Sequence, residues 1–248
     1  MPGITFNMSQ RYALVGKTRS GKTRFAILLA GLFAQHLSPP WEIWVIDTKG
    51  DLSDLQALRQ FGFRNGASQR DMQSVGAIPG ALYFHIEPLQ YQDEQSVVQQ
   101  AQVIFAAAMH RKDVERMPYN NVLVVVDEYV SVVPSTRSPG PALKDIFQRG
   151  GGLKTGIIGL TQEPAYVPRQ LISQATHAFL FNLTLDYDIE RIRKMYSFYE
   201  PPANRGDEYG FWHVQLDSSA EPTYYKNQFE WWQNLEIDVP VVMLEQAS

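Results

Sequence analysis

Apolar residues in this chain fall into short runs separated by longer amphipathic stretches. Tyr12 to Val15 is one such run and predicts a short buried strand. A glycine-rich loop follows, then a helical pattern from about Lys22 to His36 that Ser38-Pro39-Pro40 ends. Trp41 to Asp47 and Ala81 to Ile86 read as strands, with a short helix and a long loop expected between about Leu52 and Gly80. Glu94 to His110 carries an apolar stripe through Val97, Val98, Ala101, Ile104 and Phe105, the spacing of a helix with one buried face. Asn121 to Asp127 is continuously apolar until its last residue, as in a strand covered on both faces. Beyond a Pro-, Ser- and Gly-rich loop at Pro134 to Pro141, helix is expected at Ala142–Gln148, Pro168–Gln174 and Asp186–Tyr196. Strand is expected at Gly156–Leu160, His177–Leu183 and Phe211–Leu216. Strands alternating with helices predict a three-layer α/β/α domain around a mainly parallel sheet, spanning residues 1–216. From Asp217 the pattern fades into an acidic, aromatic tail, residues 217–248. Its Tyr224, Tyr225, Phe229, Trp231 and Trp232 either pack on the domain or dock a partner.

The first helix begins where chemistry does. Gly16-Lys17-Thr18-Arg19-Ser20-Gly21-Lys22-Thr23 is the G-x-x-x-x-G-K-[ST] phosphate loop, set between a strand and a helix. Its glycines let successive N–H groups turn inward toward phosphate oxygens, and the helix N-terminus adds its positive dipole end. Lys22 is then placed to reach the β- and γ-phosphates of ATP, and Thr23 to ligate Mg²⁺. A plain Gly-rich surface turn is the alternative, but it leaves Lys and Thr at the helix start unexplained.

A second signal ends the run Val122–Val126 in Asp127-Glu128, the Walker B pattern. Asp127 would order Mg²⁺, and Glu128 would polarise the attacking water. Alone, the same residues describe a buried strand ending in a solvated acidic turn. A carboxylate beside the metal residue suits hydrolysis by water better than transfer to a small-molecule acceptor. A third strand ends in Thr161-Gln162, and in a parallel sheet it can lie between the other two, with Gln162 at the γ-phosphate. A polar strand cap is the alternative for Gln162.

Composition narrows the class. The chain has 248 residues, 44% hydrophobic and 19% charged, which fits one ordinary globular domain. It has no cysteine, which excludes a disulfide scaffold, a Cys-ligated zinc and a thiol nucleophile. His36, His85, His110, His177 and His213 show no metal-ligand spacing, so Mg²⁺ is the one metal expected. The net charge of −4 excludes a globally basic nucleic-acid binder but not a few basic groups gathered in one place. The longest apolar run, Phe25 to Ala34, is too short to span a bilayer, and Met1 to Thr5 lacks the features of a signal peptide. A cytoplasmic location, without an integral membrane segment, is the expectation.

Taken in order, Gly16–Thr23, Trp44-Val45-Ile46-Asp47-Thr48-Lys49-Gly50-Asp51, Val124–Glu128 and Gly156–Gln162-Glu163-Pro164 resemble the FtsK/HerA superfamily of P-loop ATPases over roughly residues 11–216. The short single-domain form most resembles the genome-packaging ATPases of membrane-containing icosahedral viruses. The resemblance implies a RecA/ASCE-like P-loop NTPase fold and ATP-driven pumping of double-stranded DNA. It also implies a homo-oligomeric ring, usually a hexamer, that can attach to a capsid vertex or membrane protein in the host cytoplasm. ATP would then sit between subunits, with an arginine finger from a neighbour. The family usually has an Arg shortly before the Gly that opens the sensor strand. Here Leu153 holds that spacing, and Arg149 is the candidate finger, with Lys154 and Arg169 behind it. A helix-terminal base complementing the dipole is the other reading of Arg149. Arg64 and Arg70 are candidates for a DNA-lined pore, or solvated surface, and Arg111 and Lys112 most simply complement the end of their helix. Arg191, Arg193 and Lys194 face either a neighbouring subunit or solvent. A cellular HerA-like or conjugation-related ATPase is the runner-up. It is disfavoured by the roughly ten residues that precede the first strand, because such proteins usually carry extra N-terminal domains. A P-loop small-molecule kinase and a non-hydrolysing nucleotide switch are the readings from other classes.

Overall fold

The structure, a computed structural model, describes residues 10–36, 41–48, 64–65, 80–86, 93–110, 121–150, 152, 155–216 and 220–233. Lys49 to Asp51, Arg70, Arg111, Lys112 and Lys154 lie outside these residues, as does most of the segment expected to hold a helix and loop before Gly80.

Among the described residues nine strands form one sheet. They are β1 (Arg11–Val15), β2 (Trp41–Asp47), β3 (Arg64–Asn65), β4 (Gly80–His85), β5 (Asn121–Val126), β6 (Thr155–Thr161), β7 (His177–Phe181), β8 (Phe211–Gln215) and β9 (Thr223–Tyr225). Their order across the sheet is β3-β4-β2-β5-β6-β1-β7-β8-β9. All pairs are parallel except β7 with β8 and β8 with β9. Helices α1 (Lys22–His36) and α2 (Glu94–His110) have the bounds their periodicity predicts, as does β2. The remaining helices are α3 (Tyr129–Val132), α4 (Pro141–Arg149), α5 (Gln170–Ser173), α6 (Asp186–Arg193) and α7 (Gln228–Gln233).

The central strands are buried on both faces, and their side chains alternate between two cores. Val122, Val124 and Val126 of β5 face a core with residues of α2, α4, α5 and α6. Leu123 and Val125 face the other, with Phe25, Leu29 and Phe33 of α1 and Trp231 of α7. The same division holds for Trp44 and Ile46 against Ile43 and Val45 in β2, and for Ala178 and Leu180 against Phe179 and Phe181 in β7. The architecture is therefore the expected three-layer α/β/α arrangement around a mainly parallel sheet.

The stretch after Asp217, patternless in sequence, is partly ordered onto the domain. β9 pairs antiparallel with β8, and Trp231 is buried edge-on against Phe25 with ring centroids 4.7 Å apart. Phe229 of the same short helix is exposed. Among the described residues no helix is long and apolar enough to cross a membrane.

Candidate functional site

β6 lies between β1 and β5, which brings the C-terminal ends of three strands to one edge of the sheet. There the chain leaves β1 into the loop Gly16–Gly21. The loop is tied down from both neighbouring strands. Gly16 N–H donates to Thr161 O (3.1 Å), at the end of β6, and Lys17 N–H donates to Asn182 O (2.7 Å), just past β7. Arg19 and Gly21 adopt positive φ, 61° and 92°, so successive amides turn inward rather than continuing a strand. Gly21 at that φ has no low-cost replacement among side-chain-bearing residues.

Lys22 is buried, and its ammonium donates to Lys17 O (2.7 Å), folded back across the loop. That contact holds the ammonium against the loop backbone. The Thr23 and Asp127 side-chain oxygens are 3.5 Å apart. Two cis oxygens on a Mg²⁺ with bonds of 2.0–2.1 Å are about 3 Å apart, so a small closure lets this pair share the ion. Both are hard oxygen donors, and the residues fit the metal.

Glu128 is buried, and both carboxylate oxygens accept the backbone N–H of Gln162 at 3.3 Å. The next residue fixes its backbone. The Tyr129 ring crosses β6 so closely that a β-carbon on Gly159 would lie 1.7 Å from it. Gly159 is thus required for close approach. Burial pushes the Tyr129 phenol far above its ordinary pKa. Gln162 is oriented from the other side. Thr18 of the phosphate loop donates its hydroxyl to Gln162 Oε1, which leaves the amide nitrogen as a donor. Behind it, buried Asp188 accepts the Ala165 N–H (3.0 Å) and ties α6 to the turn after Gln162. Burial raises the Asp188 pKa, with the charge of Glu163 adding to it and the Ala165 N–H opposing it.

A cavity of about 500 Å³ opens over this edge, within the range of small-molecule sites. Thr18, Arg19, Gly21, Lys22, Thr23, Asp127 and Gln162 all line it. The structure thus brings together the candidate residues of Gly16–Thr23, Asp127, Glu128 and Gln162. Arg149 is elsewhere. It ends α4, beside the start of β6, and pairs with Asp145 one turn back on its own helix. Seven residues of β6 separate it from Gln162, about 20 Å of extended chain. Arg169 is exposed at the start of α5. Arg64 lies in β3, paired beside Leu82. Arg193 donates to Tyr199 O (3.1 Å), and Lys194 is exposed.

Three residues at the site were not among the sequence candidates. Asp47, buried at the end of β2, lines the cavity. Its only signal was membership of the Asp47–Asp51 stretch. Tyr209 also lines it, and Gln228 of the tail donates to Gly21 O (2.9 Å). Neither belongs to a motif, and Gln228 lies 207 residues from its partner.

No family model matches the sequence, and no curated protein matches it at the sequence level. Solved structures do match in three dimensions. The genome packaging NTPase B204 from Sulfolobus turreted icosahedral virus 2, in complex with ATP-gammaS, has a TM-score of 0.64. It is 16% identical over 90% of this chain and 99% of that one. B204, the DNA-packaging ATPase from Sulfolobus Turreted Icosahedral Virus, has a TM-score of 0.63, with 15% identity over 90% and 99%. EssC (ATPases 2 and 3) from Geobacillus thermodenitrificans has a TM-score of 0.50, with 13% identity over 92% of this chain and 42% of that one. The chain therefore has the fold of the P-loop ATPases, as the FtsK/HerA resemblance of its motifs implies.

Proposed function

We propose that this chain hydrolyses ATP to translocate double-stranded DNA, packaging a viral genome into a preformed capsid. In this reading it works in the host cytoplasm as a homo-oligomeric ring of six subunits, attached to a capsid vertex or membrane protein. Residues 1–216 are the motor, and the rest is a tail that packs on it or docks the partner.

The observation that carries the reading is the convergence of Glu128 and Gln162. A buried carboxylate and an oriented amide meet beside Lys22, Thr23 and Asp127 at one sheet edge. In this role the amides of Gly16–Gly21 cradle the phosphates, and Lys22 holds the β- and γ-phosphates. Thr23 and Asp127 hold Mg²⁺, which when bound neutralises phosphate charge. Glu128 accepts the proton of the attacking water, and Gln162 donates to the γ-phosphate through Nε2. Arg149 stabilises the transition state in the neighbouring subunit's site. Its exposed pairing with Asp145 is of the kind worth little, so it can be given up at low cost. The fold shared with a DNA-packaging ATPase supports the packaging part of the proposal.

Glu128→Gln keeps the shape and removes the base. It is expected to bind ATP as the parent does and to lose turnover by at least a hundred-fold. Phosphate release and nucleotide binding on the same samples check this, and near-normal steady-state hydrolysis would remove Glu128 from the mechanism. Transfer of phosphate to a small acceptor instead of water would favour the kinase.

A further inference from the structure

The cavity runs on past the phosphate loop, along α1 to Val45, Asp47 and Val125 on one side and to Tyr209 on the other. β1, which carries the phosphate loop, has β6 and then β5 on one side, and β7 and then β8 on the other. Gln162 follows β6, and Asp127 and Glu128 follow β5. The groups assigned to the terminal phosphate therefore share one flank of the loop. Thr23 faces that flank through Asp127. A nucleoside triphosphate whose terminal phosphate meets them extends its sugar and base over the opposite flank.

Tyr209 stands there. It lies two residues before β8, whose first residue, Phe211, pairs with Phe181 at the C-terminal end of β7. The same cavity is lined by Tyr209 and by Thr18, Arg19, Gly21, Lys22 and Thr23. Its Cδ1 lies 3.9 Å from where a β-carbon of Gly21 would sit. The side chain is 56% exposed, yet the turn that presents it is braced. Gly210 N–H donates to Asp207 O (3.2 Å), and Tyr224 donates its hydroxyl to the Asp207 carboxylate (2.9 Å). The Arg205 guanidinium stacks over Tyr224 and Trp212, at 4.5 and 5.4 Å from the ring centroids. A β-carbon at Gly210 would be 2.3 Å from the Tyr224 oxygen, so the turn closes tightly on that brace. A rigid backing behind one exposed aromatic is the arrangement of a preorganised stacking surface.

We propose that Tyr209 is the platform on which the base of a bound nucleoside triphosphate stacks. This rests on reading Gly16–Thr23 as a nucleotide site. Stacking uses the π-face every base has, so the platform adds affinity without selecting among bases.

The test is calorimetric binding of non-hydrolysable ATP and GTP analogues and of inorganic tripolyphosphate to the full chain. Tyr209→Ala is expected to weaken both analogues roughly ten-fold while leaving tripolyphosphate unchanged. Tyr209→Phe, which keeps the ring, is expected to bind all three as the parent does. Unchanged analogue binding by Tyr209→Ala would overturn the proposal. So would equal loss of analogues and tripolyphosphate, because that is damage to the loop rather than loss of a base contact. A parent chain that binds none of the three would instead defeat the nucleotide reading itself.

Discussion

Individual side chains outside the cavity also set measurable behaviour, and the buried His177–His213 pair is the clearest case. His177 Nε2 lies 3.2 Å from Gln10 Oε1, which also accepts the Tyr12 hydroxyl at 2.9 Å. An amide oxygen only accepts, so His177 carries its proton on Nε2. Its Nδ1 then accepts from His213 Nε2 at 3.0 Å. A second proton on His177, at Nδ1, would face the His213 Nε2–H and break this chain. Burial, and then the charge of His177, hold the His213 pKa well below 6.5. The unfolded chain takes a proton near 6.5 that the folded chain refuses. The contribution to stability is therefore complete above that pH and is lost as pH falls through the folded-state value. Each pH unit inside the window costs up to about 1.4 kcal/mol. Thermal melting between pH 7.5 and 5 is expected to show a steeper fall for the parent than for His213→Leu. Parallel slopes would mean that other groups, not this pair, carry the acid sensitivity.

At the scale of elements, the C-terminal segment is braced against the phosphate loop and the start of α1. Trp231 packs on Phe25 in the first turns of α1, and Gln228 bonds Gly21, whose carbonyl also begins the helix by accepting Phe25 N–H at 2.9 Å. Trp231→Ala removes a fully buried indole and should cost about 3–5 kcal/mol. In a domain of this size that is a melting shift of roughly 6–20 °C. Phe229→Ala, two residues away on the other face of the helix and 69% exposed, should stay within about 0.5 kcal/mol. Similar melting temperatures for the two variants would refute the packing role given to Trp231. This segment also marks where sequence reading stops. α1, α2 and β2 were legible to the residue because each is long and periodic, with Pro39-Pro40 closing α1. The intercalation of β6 between β1 and β5 followed from motif order. β9 has three residues, and its strand character comes from pairing with β8, not from its own pattern. α3, four residues long, exists because Tyr129 packs over Gly159, a contact across 30 residues that no local rule contains. The helix expected to run to Tyr196 ends at Arg193, whose Nε donates forward to Tyr199 O.

For the whole molecule, the position of Arg149 sets the decisive question. About 20 Å of β6 lies between it and Gln162 in its own chain, so it can serve catalysis only in a neighbour's site. A closed ring with head-to-tail contacts supplies such neighbours. In that arrangement Arg149→Ala and Glu128→Gln are each inactive for different reasons, and the two defects fall on opposite sides of one interface. Mixing equal amounts should rebuild intact interfaces wherever an Arg149→Ala subunit, with its own Glu128, meets a Glu128→Gln neighbour, with its own Arg149. Random assembly makes roughly a quarter of the sites whole. Hydrolysis by the mixture is therefore expected to recover well above either variant alone, on particles whose mass exceeds one subunit. Double-stranded DNA should stimulate the parent and the mixture alike. Because the net charge is −4, that stimulation must come from locally gathered basic groups and should weaken steeply with added salt. A mixture as inactive as its components, in an assembled particle, would take Arg149 out of the site. A parent that stays monomeric and ignores DNA would overturn the translocase reading while leaving the nucleotide site standing.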